Sequence, residues 1–282
     1  MSSITLYLWT NPVSWDPALQ HTMVTTYKPI GTCTPQAPQC YWFCWGDCHT
    51  ASGSPNLALL KQAAGNLDTA KCITQPNDPS SADNTHAGIP SFYGHFGVCH
   101  QVADRTLIAT AAPGTPAITV EGADGAKLSF WLYGAYATHG EYKGQSLADN
   151  WAQRKQGCGI TPEMNNSGSE FSEENLHESL RAAMGGELKE ETLALVQDVF
   201  TDLRAKKDQL AARVLDKGDS MTRLEFAQQL NQLIADAVAR LTNELGSAVV
   251  EQALDVKAGA PFRLLDEHIA AREDEEEAEN KD

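Results

Sequence analysis

Cys99 and the histidines around it are the side chains best placed to do chemistry. Cys99 follows a glycine-rich aromatic approach, Tyr93-Gly94-His95-Phe96-Gly97-Val98, and opens Cys99-His100-Gln101-Val102-Ala103-Asp104-Arg105-Thr106-Leu107, which reads as a helix. A thiol at a helix N-terminus meets the positive end of the dipole and unpaired backbone N–H groups, and both favour the thiolate. Nucleophilic catalysis then needs a base within hydrogen-bond reach and, usually, a third polar group that fixes the base's tautomer. His21, in a stretch from Gln20 to Tyr27 that alternates like a half-exposed strand, is the candidate base. His49 and Asp47, just beyond the aromatic run 41–45, are the candidate orienting groups. His100 points about 100° away from Cys99 around a helix and is a poor base for its neighbour. Backbone N–H groups around Gly97–Cys99 would supply an oxyanion site. The competing reading packs the thiol away: Cys99, Val102, Ala103, Thr106 and Leu107 share one helical face, and free cysteine is among the most commonly buried residues.

A second chemistry is metal binding. Cys33, Cys40, Cys44, Cys48 and His49 are the densest group of soft ligands in the chain. Cys40, Cys44, Cys48 and His49 form a four-ligand set that zinc could join. The tight two-residue spacing common in structural zinc sites is missing, so ordinary core cysteines or a reversible disulfide compete with this reading. No cofactor other than zinc is implied. There is no glycine-rich phosphate loop with its lysine and no dinucleotide fingerprint. Asp216-Lys217-Gly218-Asp219-Ser220 lacks the acidic spacing of a calcium loop.

The elements that must position these groups fall into two contrasting stretches. Residues 1–161 are rich in Trp, Tyr, Thr, Gly, Pro and Cys and read as an α+β domain. Strands are expected at 4–9, 22–27, 39–45, 117–121 and 128–133, the last two as a hairpin across Gly122-Ala123-Asp124-Gly125. Helices are expected at 55–66 and from Cys99 onward. Residues 162–171 have linker composition. The stretch 172–270 has helical periodicity, with Leu193, Val196, Phe200, Leu203, Leu210 and Val214 on one stripe. Leu230, Leu233, Ile234, Ala237, Leu241 and Leu245 form another. Thr222 with Glu225 reads as a capping box and Gly246 as a C-cap, giving an antiparallel helical hairpin around Gly218. These stripes need a cover: the first domain, a second copy of the chain, or a protein partner. Residues 271–282 read as an acidic, disordered tail. Trp42, Trp45, Phe92, Tyr93, Phe96, Trp131 and Tyr133 read equally as a pocket lining or as core.

The order of a strand histidine, a polar residue after the next strand and a later helix-start cysteine resembles the circularly permuted papain-like proteins. These are the permuted NlpC/P60 and lecithin:retinol acyltransferase-like groups. The resemblance covers about residues 15–110 and implies an antiparallel papain-like sheet with helices. It also implies a cysteine peptidase, amidase or acyltransferase acting on a peptide or small-molecule substrate. His21 would be the base, Cys99 the nucleophile, and His49 or Asp47 the orienting group. Those families' usual cysteine motifs are not reproduced in Gly97-Val98-Cys99-His100-Gln101, and the cysteine-rich stretch 33–48 lies outside the pattern. A non-permuted arrangement, with Cys99 followed by His139 and then Glu141 or Asn150, stays open.

Composition narrows the partners. The 282 residues carry a formal charge of −16, most of it beyond residue 170, so no basic face awaits a nucleic acid. No apolar run approaches a membrane span, and no signal peptide is seen, so a cytoplasmic protein is expected. Seven cysteines, an odd number without an export signal, point to reduced thiols.

Overall fold

A computed structural model gives the fold and describes residues 3–12, 19–28, 41–45, 59–74, 92–134, 141–160 and 173–279, a few short gaps within these ranges apart. The chain is an α+β protein built on a four-stranded antiparallel sheet in the order β3-β2-β1-β4. The strands are β1 (Ser3–Pro12), β2 (Gln20–Thr25), β3 (Trp42–Phe43) and β4 (Lys61–Asn66). β1 pairs with β2 in a register that sets Trp9 opposite Met23 and Leu8 opposite Val24. Successive side chains leave a strand on opposite faces. Leu6, Leu8, Val24 and Phe43 accordingly share one buried cluster, and Trp9, Met23, Trp42 and Cys44 another.

Helix α1 (Leu67–Ile73) follows β4 directly, capped by the Asn66 side chain. Helix α2 (Cys99–Thr110) lies against the sheet through Ala103 and Leu107 and is buried along its whole length. A helix hidden on every side belongs to the centre of a core. Helix α3 (Ala126–Tyr133), the two-residue strands β5 (Glu141–Tyr142) and β6 (Gln145–Ser146), and α4 (Leu147–Gly157) come next. Helices α5 (Glu173–Ala183), α6 (Glu190–Leu215), α7 (Arg223–Leu245), α8 (Ser247–Leu254) and α9 (Glu267–Glu279) complete the described chain.

The expected apolar stripes of α6 and α7 find their cover within this chain. Phe200 meets Trp131 of α3 with ring centroids 4.8 Å apart, and Phe226 meets Phe92 at 5.2 Å. Val98, Cys99, Val102, Phe200, Phe226, Leu230 and Leu265 belong to one continuous apolar cluster. Full burial of a side chain such as Phe226 or Leu230 contributes about 1.5–3 kcal/mol. Trp45, Phe92, Tyr93, Phe96, Trp131 and Tyr133 lie in the same cluster and Trp42 in the one beside it, so the aromatic runs are core. The capping box of α7 is present in both directions, with Glu225 N donating to the Thr222 hydroxyl and Thr222 N to the Glu225 carboxylate.

Several expectations are corrected. The stretch 128–133 is helical in α3, which starts at Gly125, so no hairpin with 117–121 forms. The stretch 61–66 is an edge strand, its backbone groups paired with β1 from Ser3 to Leu8. The acidic stretch expected to be disordered is helical through Glu279, because Glu273 on it is buried and bonded. The expectation of reduced thiols fails at Cys72 and Cys158, which form a disulfide joining α1 to the end of α4, and at Cys44, which is also disulfide-bonded. No helix among the described residues is long and apolar enough to cross a membrane.

Candidate active site

Cys99 is the first residue of α2, and the turn before it is tightly built. Val98 N donates to Gln101 Oε1 at 3.0 Å while Gln101 N donates to the Val98 carbonyl at 3.0 Å. The Gln101 amide also donates to the Ser129 hydroxyl at 3.3 Å, tying α2 to α3. The Val98 amide is thereby spent, which removes it from the expected oxyanion group. The Cys99 and His100 amides, with no acceptor one turn back, are the helix-start N–H groups closest to the sulfur. Gly94 and Phe96 also shape the approach: Gly94 N donates to the Gly97 carbonyl at 2.8 Å, and the buried Arg105 donates to the Phe96 carbonyl at 3.0 Å.

The structure brings His21 on β2 near Cys99. The imidazole lies close enough to the Cys99 side chain for the two to interact electrostatically. Its Nε2 lies 2.9 Å from Asp266 Oδ2. The Cys99 thiol also points toward the Gln20 carbonyl, 3.8 Å away. Burial opposes a charged ring, but the bonds and charges of Asp266 and Cys99 outweigh it and raise His21 from 6.5 to about 10. Thiol, imidazole and carboxylate thus form a connected row, and they expose only 4%, 5% and 2% of their surfaces.

Asp266 is the member that sequence reading missed. It stands at the N-terminus of α9, where Oδ1 accepts the His268 amide at 2.9 Å. One oxygen caps the helix while the other holds His21. Its own amide donates to the Tyr93 hydroxyl at 2.9 Å. The Tyr93 hydroxyl is held well above its usual range by burial and by its closeness to Cys99 and Asp266, with the Asp266 amide opposing. Glu273, further along α9, accepts the Tyr93 amide at 3.0 Å and the Trp45 indole at 3.4 Å. Only one signal pointed to Asp266: an aspartate immediately before a helical stretch, the usual place for an N-cap.

The other histidines have different work. His100 Nδ1 lies 2.5 Å from the Thr22 hydroxyl, which fixes the start of α2 to β2. Burial lowers His100 to about 4, with nearby His21 adding to the effect against a backbone bond to Asp124. His95 is lowered to about 3 by burial and then by Lys207, and its ring packs at a tilt against Phe92 and Phe96. Both rings are neutral packing groups.

His49, Asp47 and His139 lie outside the described residues, and the nitrogen of His21 that an orienting group would take is occupied by Asp266. Glu141 is in β5 and Asn150 in α4. Of the zinc set, Cys40, Cys48 and His49 are outside the described residues. Cys44 is corrected: its sulfur is committed to a disulfide and has no thiolate to offer a metal. Among the described residues, no group of three or more His, Cys, Asp or Glu side chains could hold a metal ion. No protein-family model matches the chain, and neither a curated protein nor a solved structure is similar to it.

Proposed function

We propose that the chain is a thiol-dependent amide or ester hydrolase, or an acyltransferase, working through an acyl group carried on Cys99. The observation that carries this reading is the Cys99 thiol beside the Gln20–His21 stretch of β2, with His21 Nε2 held 2.9 Å from the buried Asp266 carboxylate. A core cysteine needs no imidazole beside it. An ion pair kept out of water is costly, and apolar residues of the same volume usually stabilise as well or better. A buried charge pair beside Cys99, the one free thiol among the described residues, therefore points to chemistry.

The roles follow from the geometry. His21 carries the proton that Cys99 gives up and holds it against Asp266. The sulfur attacks a carbonyl carbon, and the oxygen that gains charge faces the helix-start amides of Cys99 and His100. The tetrahedral adduct collapses as His21 returns the proton to the departing amine or alcohol, leaving a thioester. Water or an acceptor amine, deprotonated by His21, attacks the thioester and restores the thiol. The order of His21 before a helix-start Cys99 fits a permuted papain-like arrangement, with Asp266 from the C-terminal region in the orienting role. The Cys72–Cys158 disulfide favours an oxidising compartment over the cytoplasm.

The test is turnover of simple thioester, ester and amide substrates by the wild type and by Cys99→Ala, with intact-mass detection of the acylated protein. Activity lost in Cys99→Ala, with the acyl mass found on the Cys99 peptide of the wild type, supports the reading. Turnover that persists in Cys99→Ala overturns it.

A further inference from the structure

We infer that Asn231, in the middle of α7, is a positioning residue that sets the aim of Asp266 at His21; this rests on the thiol-hydrolase reading above. Asn231 lies among Phe226, Ala227, Leu230 and Ile234, on the apolar side of α7, and is itself buried. Asparagine is a mediocre helix former, and a leucine there would serve helix packing better. Its amide is instead fully used. Oδ1 accepts the Leu264 amide at 3.1 Å and the Leu265 amide at 2.9 Å. Nδ2 donates to the Leu265 carbonyl at 3.0 Å and lies 3.3 Å from Glu267 Oε1.

These partners are the backbone groups of the two residues immediately before Asp266 and the side chain of the residue immediately after it. The stretch 262–266 belongs to no helix or strand, so its buried peptide groups need partners from outside. Asn231 supplies them on one side, and the Tyr93 hydroxyl holds the Asp266 amide on the other. A carboxylate that must meet an imidazole nitrogen at 2.9 Å depends on that backbone staying in place. The side chain of α7 thus reaches the reacting atoms through Asp266 and touches none of them.

The experiment measures iodoacetamide alkylation of Cys99 against pH, quantified on the Cys99 peptide by mass spectrometry in the full chain with its disulfides intact. Wild type, Asn231→Asp, Asp266→Asn and the double variant are compared. Asn231→Asp keeps the volume but turns Nδ2 into an oxygen facing the Leu265 carbonyl and Glu267. It is expected to slow alkylation at neutral pH roughly tenfold and to move the pH midpoint in the same direction as Asp266→Asn. In the Asp266→Asn background it should change the rate by less than about twofold, because both act through one contact. Asn231→Leu, which packs with α7 and keeps the chain folded by its melting curve, should reproduce the slowing. The proposal is overturned if Asn231→Asp and Asn231→Leu keep the wild-type rate and pH profile, or if the effects of Asn231→Asp and Asp266→Asn multiply in full. A wild-type Cys99 no faster than free cysteine, or one indifferent to Asp266→Asn, instead overturns the thiol-hydrolase reading itself.

Discussion

His21 Nε2 meets the Asp266 carboxylate at 2.9 Å, with both side chains almost wholly withdrawn from water. The pair joins the second strand of the sheet to the last described helix, and its energetics follow from its burial. Removing one partner strands the other: Asp266→Ala is expected to cost about 3–5 kcal/mol in urea unfolding.

The same pair sets a pH signature. His21 is raised from 6.5 to about 10 by Asp266 and Cys99 working against burial. A base whose folded value is raised contributes stability that is complete below its unfolded value, here 6.5. That contribution is lost as the pH rises through about 10. The stability gap between wild type and Asp266→Asn should therefore narrow between pH 6.5 and pH 10, measured by denaturant titration. A gap that widens over this range contradicts the assignment.

Asp104 on α2 carries a dependence of the same sign in a more acidic window. Burial pushes it from 3.8 up to about 7, against the Val120 amide that donates to it at 2.7 Å and against Arg105. An acid whose folded value is raised takes up a proton on folding, so stability falls as the pH climbs from about 3.8 to about 7. Asp104→Asn keeps an acceptor for Val120 and removes the ionisation. It should gain on the order of 2 kcal/mol over wild type between pH 5 and pH 8, read from the two unfolding curves.

Gly94 tests how closely the approach to Cys99 and the Asp266 segment are pressed together. Its φ of +81° is left-handed, and a Cβ there would run into the Leu265 side chain, one residue before Asp266. Gly94→Ala is expected to lose about 1–2 kcal/mol from the backbone alone. It should also slow Cys99 alkylation, as Leu265 and its neighbour move. Thermal melts and alkylation rates on the same preparation check both effects.

The Cys72–Cys158 disulfide spans a sequence separation of 86 residues. Replacing both cysteines with serine is expected to cost about 2–4 kcal/mol. Cys99 alkylation should stay near the wild-type rate in the folded variant, because the bridge joins α1 and α4 and touches none of the three site residues. Unfolding curves and alkylation of the double variant separate the two effects.

Much of this arrangement was legible in the sequence where one physical signal dominated. Alternation gave β1 and β2, the glycine-rich approach marked the start of α2 at Cys99, and the stripes of α6 and α7 were read residue by residue. The stretch 128–133 misled because a short apolar run suits a strand or a buried helix equally well, and packing against Phe200 decides for the helix. The stretch 61–66 looks helical in composition, yet the free edge of β1 claims its backbone. Asp266 was hidden by its setting in the sequence, one acid at the edge of an acidic run. What distinguishes it is a tertiary fact, the arrival of His21 from the far end of the chain. Glu273 was hidden the same way, since its tertiary contacts with the Tyr93 amide, the Trp45 indole and Arg223 set it apart from Glu275 and Glu276.

The anchoring of Asp266 and Glu273 on α9 has a consequence for how the protein comes into being. Translation delivers His21 and Cys99 well before Asp266 and Glu273. A chain still on the ribosome, or one cut short before α9, holds an ordinary sulfhydryl beside an ordinary imidazole. The contact between His21 and Asp266 therefore forms only when the segment that opens α9 docks.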